Sequence, residues 1–185
     1  FDIEGTRLLF PVTYSESMNT VVVQECIRYN KLIAEMERSL PLLLKALKGL
    51  VVMSSDLEAM ANAVAVNEVP GNWTKNAYPS MKPLAAWELD FIERLKFVHA
   101  WIDDGAPPVF WISGFYFPQA FLTGVLQNYA RKNQFPIDHC EFDFLMMEKP
   151  TEEYKVKPED GAYIRGMYME GARWDASINS INDSL

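Results

Sequence analysis

Few side chains in this sequence have the types and spacing that chemistry requires. The two histidines, His99 and His139, lie far apart, and no His-Glu-x-x-His pair sets two imidazoles on one helical face. Cys26 and Cys140 are equally separated and form no Cys-x-x-Cys pair; set among apolar residues, they read as reduced core thiols. The dipeptide Gly-Lys never occurs, so the sequence has no phosphate-binding loop of the nucleotide-hydrolysing type. Ser113 follows Trp111 by two positions where a nucleophile elbow needs glycine. Asp103, Asp104 and Asp138 are the remaining acid–base or metal candidates, although Asp103 and Asp104 ahead of Gly105 equally read as a turn closing a helix. Gly161, Gly166 and Gly171 with Arg165, Arg173 and Trp174 could build an anion site, or could mark tight turns and bulges.

The elements that would position such groups are those of a globular protein. The 185 residues hold 49% apolar and 23% charged side chains, enough to bury a sizeable core without disulfides or metal. Seventeen Lys and Arg against 25 Asp and Glu give a net charge of −8, which argues against a general nucleic-acid binder. The apolar run at 109–126 is interrupted by Ser113, Gly114 and Pro118, so it is not read as a membrane span. Two sequons, at Asn72 and Asn182, have no signal peptide beside them and read as chance. The sequence opens at Phe1 without an initiator Met and is expected to be a piece of something longer.

Residues 1–12 read as the exit strand of a preceding unit. Thr13 and Glu16 have the spacing of a helix-capping box. An apolar stripe then runs through Val22, Cys26, Tyr29, Ile33, Met36, Leu40, Leu43 and Leu47. Pro41 falls inside the stripe and predicts two helices meeting there, the second capped by Ser39. Ser55 and Glu58 predict a third helix to about Val66, and residues 67–83 a long loop pinned by Trp73 and Tyr78. A helix from Pro83 to Gly105 carries Leu84, Trp87, Phe91, Leu95, Val98 and Ile102 on one face, and Pro118 opens another. Beyond Asp138 the period changes: Glu141–Phe144 and Ala162–Met169 read as strands, separated by a charged loop. The fold class expected is mainly α, a helical bundle or plate followed by a small, truncated antiparallel β portion. The expected divisions are a connecting segment at 1–16, a helical subdomain at 17–138 and an incomplete β subdomain at 139–185.

Ordered blocks of sequence carry a resemblance. Val23-Gln24-Glu25-Cys26-Ile27-Arg28-Tyr29-Asn30, Leu47-Lys48-Gly49-Leu50-Val51-Val52-Met53-Ser54 and Ala77-Tyr78-Pro79-Ser80-Met81-Lys82-Pro83 resemble the C-terminal region of dynein heavy chains. So do Phe110-Trp111-Ile112-Ser113-Gly114-Phe115-Tyr116-Phe117-Pro118-Gln119-Ala120 and Glu170-Gly171-Ala172-Arg173-Trp174-Asp175. The aromatic run at 110–117 is similar to the axonemal subgroup. The resemblance implies a parent that is an ATP-driven, minus-end-directed microtubule motor of the ciliary and flagellar axoneme, part of the cytoskeleton. This segment would follow the sixth AAA module of its ring. It would carry no catalytic, cofactor or metal residues, with ATP and Mg bound elsewhere in the parent. Family members continue with further strands past the position of Leu185, so the β portion is expected to be incomplete.

The expected role is mechanical. The segment would pack on the AAA modules of the same heavy chain and couple or regulate motor activity, with other dynein subunits as further partners. It would make no direct contact with the microtubule, nucleic acid or membrane. Trp87, Trp101, Trp111, Phe115 and Phe117 are the expected buried anchors. The alternative is a docking module for an accessory chain, or, from composition alone, an enzyme built on the acidic residues.

Overall fold

A computed structural model describes residues 1–168, 170–175, 177–178 and 180–183. Six helices and four short strands follow in the order α1 (Ile3–Leu9), α2 (Met18–Leu47), α3 (Ser55–Ala65), α4 (Gly71–Thr74), α5 (Leu84–Asp104), β1 (Val109–Trp111), α6 (Pro118–Asn133), β2 (Tyr163–Arg165), β3 (Ala172–Asp175) and β4 (Ser180–Asp183). The protein is mainly α with a small β portion. The 30-residue α2 is the axis, and α1, α3, α4, α5 and α6 all pack against it.

The segment expected to be an exit strand is instead helix α1. Asp2 caps it by accepting a hydrogen bond from Gly5 N, and Asn30 Nδ2 of α2 donates to Phe1 O at 2.8 Å. Helix α2 begins at Met18 rather than Thr13 because α6 supplies its cap. Asn128 Oδ1 accepts from Ser17 N at 2.8 Å, and Glu16 accepts from Met18 N and Asn128 Nδ2. The expected break at Pro41 does not occur, and α2 runs through it as one helix. Its missing N–H leaves one carbonyl without its usual partner. The turn before it is held from the side: Ser39 Oγ donates to Glu35 O at 2.6 Å and accepts from Trp73 Nε1 at 2.9 Å. Leu43 and Ala46 beyond the proline are buried, so packing keeps the helix whole.

The cap of helix α3 lies one residue before the predicted Ser55: Ser54 accepts from Leu57 N. Trp73 and Tyr78 are buried and pin the following loop, as their types predict. Pro83 opens α5 and Gly105, at φ +88°, ends it. Pro118 stands at the first turn of α6.

The β portion forms two pairs. Strands β3 and β4 are antiparallel, with Trp174 opposite Ile181. Strand β2 pairs in parallel with β1, Phe110 opposite Ile164, so a strand lying between two helices of the N-terminal part holds the C-terminal part. Residues 141–144 are not a strand. The Phe142 and Phe144 rings stack 6.0 Å apart, but no neighbour among the described residues supplies a hydrogen-bonding edge. Within 162–169, β2 occupies Tyr163–Arg165, and Met169 lies outside the described residues.

Candidate functional site

The most heavily constrained place in the molecule is the aromatic connection from β1 to α6, residues 109–118. Three elements grip it from different sides, and the first two grips begin with a charged residue on an otherwise apolar helical face.

The first is Glu25 of α2, 1% exposed. Residues 21–26 put Val22, Glu25 and Cys26 on the helix side that faces the core. The Glu25 carboxylate reaches the connection and accepts the backbone N–H of Tyr116 and, at 3.1 Å, that of Phe117. These donors open toward α6, where intrahelical acceptors do not reach. Burial raises the Glu25 pKa; the two backbone donors and the Arg28 and Arg94 charges pull it back only in part. Arg28 Nη1 stands 3.5 Å from the carboxylate, and its guanidinium lies over the Phe117 ring at 4.8 Å.

Arg94 of α5 is the second grip. It occupies the buried face with Trp87, Phe91, Val98 and Trp101. Its guanidinium donates to Asp90 at 2.6 Å and to Phe115 O at 3.3 Å. One face of it covers the Tyr78 ring at 3.8 Å, and the Trp111 ring lies 5.5 Å away. Asp90 also accepts from Lys82 Nζ at 2.7 Å. Burial works to raise the Asp90 pKa, but these two cations hold it below the usual carboxylate range. Charge-assisted bonds of this kind contribute about twice a neutral one.

The third grip combines a hydrogen bond with a tight steric fit. Tyr29 of α2 donates its hydroxyl to Gly114 O at 3.0 Å, and burial pushes that phenol's pKa far up. A Cβ on Gly114 would collide with the Trp111 ring. Gly166, at φ +71° just after β2, brings its backbone against the same ring, where a Cβ would stand 3.0 Å from Trp111 Nε1. Only glycine at both positions lets Trp111 lie between the connection and β2.

The five expected anchors therefore divide. Trp87, Trp101 and Phe115 are fully buried and linked by rings: Trp87 stacks on Phe91 at 5.3 Å, and Trp101 meets Phe110 at 5.1 Å and Phe115 at 5.9 Å, edge-on. Trp111 is half-buried, with one side against Gly114 and Gly166 and a cation, Arg165, 5.3 Å from its ring. Phe117 is a correction: it is 43% exposed, because its backbone N–H, rather than its ring, points at Glu25.

Sequence reasoning missed Glu25, Asp90, Arg94, Tyr29 and Gly114 as gripping residues. The signal for Arg94 was present. The spacing 87, 91, 94, 98, 101 is a 3–4 stripe as regular as the one through Leu95 and Ile102, with a cation at its centre.

The other candidates do not converge. Asp103, Asp104 and Asp138 are exposed, and among the described residues no group of three or more His, Cys, Asp or Glu is placed to hold a metal. Gly161, Gly166 and Gly171 all have positive φ, the turn reading. Arg165 faces Trp111, and Arg173 is occupied by Asp183 O at 3.2 Å. A 570 Å³ cleft beside Tyr14 and Pro158 is lined by Arg131, Lys132, Lys155 and Lys157. Arg131 is taken by Tyr14 O and Ser17 Oγ, and Lys132 by Asp160. Cys26 is buried, its thiol pushed up to about 11 by burial. No described helix is long and apolar enough to cross a membrane.

The arrangement at residues 109–118 is one that immobilises a segment. A family model for the C-terminal domain of the dynein heavy chain matches residues 1–185. The sequence is 58% identical over 175 residues to dynein axonemal heavy chain 1 of Mus musculus, spanning 95% of this protein and 4% of that one. It is 52% identical over 185 residues to dynein axonemal heavy chain 3 of Homo sapiens, spanning 100% of this protein and 4% of that one. It is 51% identical over 175 residues to dynein axonemal heavy chain 12 of Mus musculus, spanning 95% and 6%.

Proposed function

The protein belongs to the family of C-terminal domains of dynein heavy chains, and from that premise we propose that it is a non-catalytic, force-transmitting module of an axonemal dynein heavy chain. The parent is an ATP-driven, minus-end-directed microtubule motor of the ciliary or flagellar axoneme. ATP and Mg are bound by other modules of that parent, and this segment contacts neither nucleotide nor microtubule. It packs on the AAA modules of its own polypeptide and biases which ring shapes are accessible.

One observation supports this reading above the others: the connection at 109–118 is fixed by Glu25 and Tyr29 from α2, Arg94 from α5 and Gly166 beside β2. A body that passes strain between neighbours must not absorb it, and buried, hydrogen-bonded polar groups make such a body stiff. A coupling of about 1–3 kcal/mol between nucleotide state and microtubule affinity is typical of such linkage.

The test is the full-length motor with Glu25→Gln, which loosens the grip while keeping the side-chain shape. Basal ATPase is expected to stay within about twofold, while microtubule-stimulated ATPase and gliding velocity fall by about 5-fold or more. Unchanged stimulation in a folded variant would remove the coupling role.

A further inference from the structure

The last turn of α2 and the loop into α3 form a tip that the fold does not cover. Leu44, Leu47, Leu50 and Val52 are 56%, 61%, 71% and 89% exposed. The tip nevertheless has a defined shape. Gly49, at φ +71°, closes α2, with Gly49 N donating to Ala46 O and Leu50 N to Lys45 O, each at 2.9 Å. Such a closing turn normally brings its apolar residue against the last helical turn, and here Leu44 and Leu50 stay open to solvent. A preformed apolar surface of this kind marks an interaction site.

Charge narrows the occupant. No Asp or Glu occurs from Ser39 to Ser55, although the protein as a whole has a net charge of −8. Lys45 and Lys48 stand exposed in this tip, and neither forms an ion pair among the described residues. We infer that this tip docks an apolar surface rimmed by carboxylates, belonging to another part of the same heavy chain. The inference rests on the ring-packing function proposed above and specifies the contact.

Two other occupants fit the charges less well. A second copy would set the two lysine pairs against each other across a two-fold axis. An anionic membrane would gain from only two cations while the rest of the protein, with its excess of carboxylates, repelled it. The sequence spans about 4% of the length of its heavy chain 1 and 3 relatives, so most of such a parent lies outside it. A partner tethered in the same polypeptide needs no separate encounter.

The experiment uses the purified full-length heavy chain and a zero-length carbodiimide crosslinker, which joins a lysine amine only to a carboxylate already touching it. Peptides containing Lys45 or Lys48 are expected to couple to Asp or Glu peptides of the same polypeptide outside residues 1–185. Lys45→Arg/Lys48→Arg should abolish the coupling but keep amide exchange at 44–53 as slow as in the wild type. Lys45→Glu/Lys48→Glu should speed that exchange at least about tenfold. Crosslinks to another polypeptide, to an isotope-labelled second copy or only within 1–185 would overturn the inference. So would exchange that the charge reversal leaves unchanged, or pelleting of the motor with phosphatidylserine vesicles that this reversal abolishes. If other residues of 1–185 crosslink to AAA modules while Lys45 and Lys48 do not, this contact falls and the ring-packing function stands. If none do, both fall.

Discussion

Replacing Glu25 with alanine removes the acceptor for two backbone donors at once, Tyr116 N and Phe117 N. A buried donor left without a partner costs about 1–3 kcal/mol, so the pair accounts for about 2–6 kcal/mol. Relief of the carboxylate's own burial works the other way, and its raised pKa shows that this burial is unfavourable. Arg28 is 30% exposed at its side chain and is partly solvated without its partner. The net expectation is a loss of about 3 kcal/mol, at the low end for breaking a buried pair. Against a total stability of about 5–15 kcal/mol this is readily measured by urea unfolding of the 185-residue protein. The pH dependence is the sharper check. Because the folded-state pKa lies above the ordinary 4.5, Glu25 holds its proton more tightly when folded. Its contribution to stability is therefore fully present below 4.5 and is lost as pH rises through the folded value. The deficit of Glu25→Ala should widen as the pH falls from about 7 toward 4.5. A deficit under about 0.5 kcal/mol would mean the two N–H groups find water. A deficit that shrinks on acidification would mean the hydrogen bonds outweigh burial.

Trp87→Ala should cost about 3–5 kcal/mol and Phe117→Ala less than about 1 kcal/mol, compared by chemical denaturation; equal losses would contradict their burial. Gly114→Ala should cost about 1–3 kcal/mol, since Trp111 must move, and near-ultraviolet circular dichroism should register the displaced ring. In native protein an aromatic disulfide reagent should titrate Cys140 and leave Cys26 unreacted until denaturant is added; two fast thiols would show that Cys26 is accessible.

What the sequence shows about this fold follows the locality of the signal. Pro83, Gly105 and Pro118 mark helix ends through backbone constraints that act within one turn, and all three do so here. Pro41 carries the same signal, but its cost is met by contacts from residues far along the polypeptide, Trp73 among them. The start of α2 is similar, since its cap comes from Asn128, 111 residues from Ser17. The apolar stripe on α2 is legible through most of the helix: Val22, Cys26, Tyr29 and Leu43 are buried, and Ile33 and Met36 pack half-buried against the core. Leu32, Ser39 and Ala46 share the buried side, while Leu40 and Leu47 are exposed. Large aromatic residues announced a core, and Trp87, Trp101 and Phe115 belong to it. The polar residues that organise that core were hidden, because a Glu or Arg in a helix reads as solvent-facing until its partner's position is known. Glu25 has its acceptor role only once residues 116 and 117 are folded beside it.

The parallel pairing of β1 with β2 has a consequence for biosynthesis. Val109 and Tyr163, its first matched residues, are separated by roughly fifty positions. At about 5–20 residues per second, β1 leaves the ribosome about 3–10 s before its partner. Throughout that interval an edge bearing Phe110 and Trp111 is open to other nascent polypeptides on the same message. The α2–α5 body, completed earlier, can already meet this strand through Arg94 over the Trp111 ring and Trp101 against Phe110. Translation speed over residues 112–165 thus sets how long the edge waits, and synonymous codons there become a determinant of yield for a protein whose folded contacts they leave unchanged.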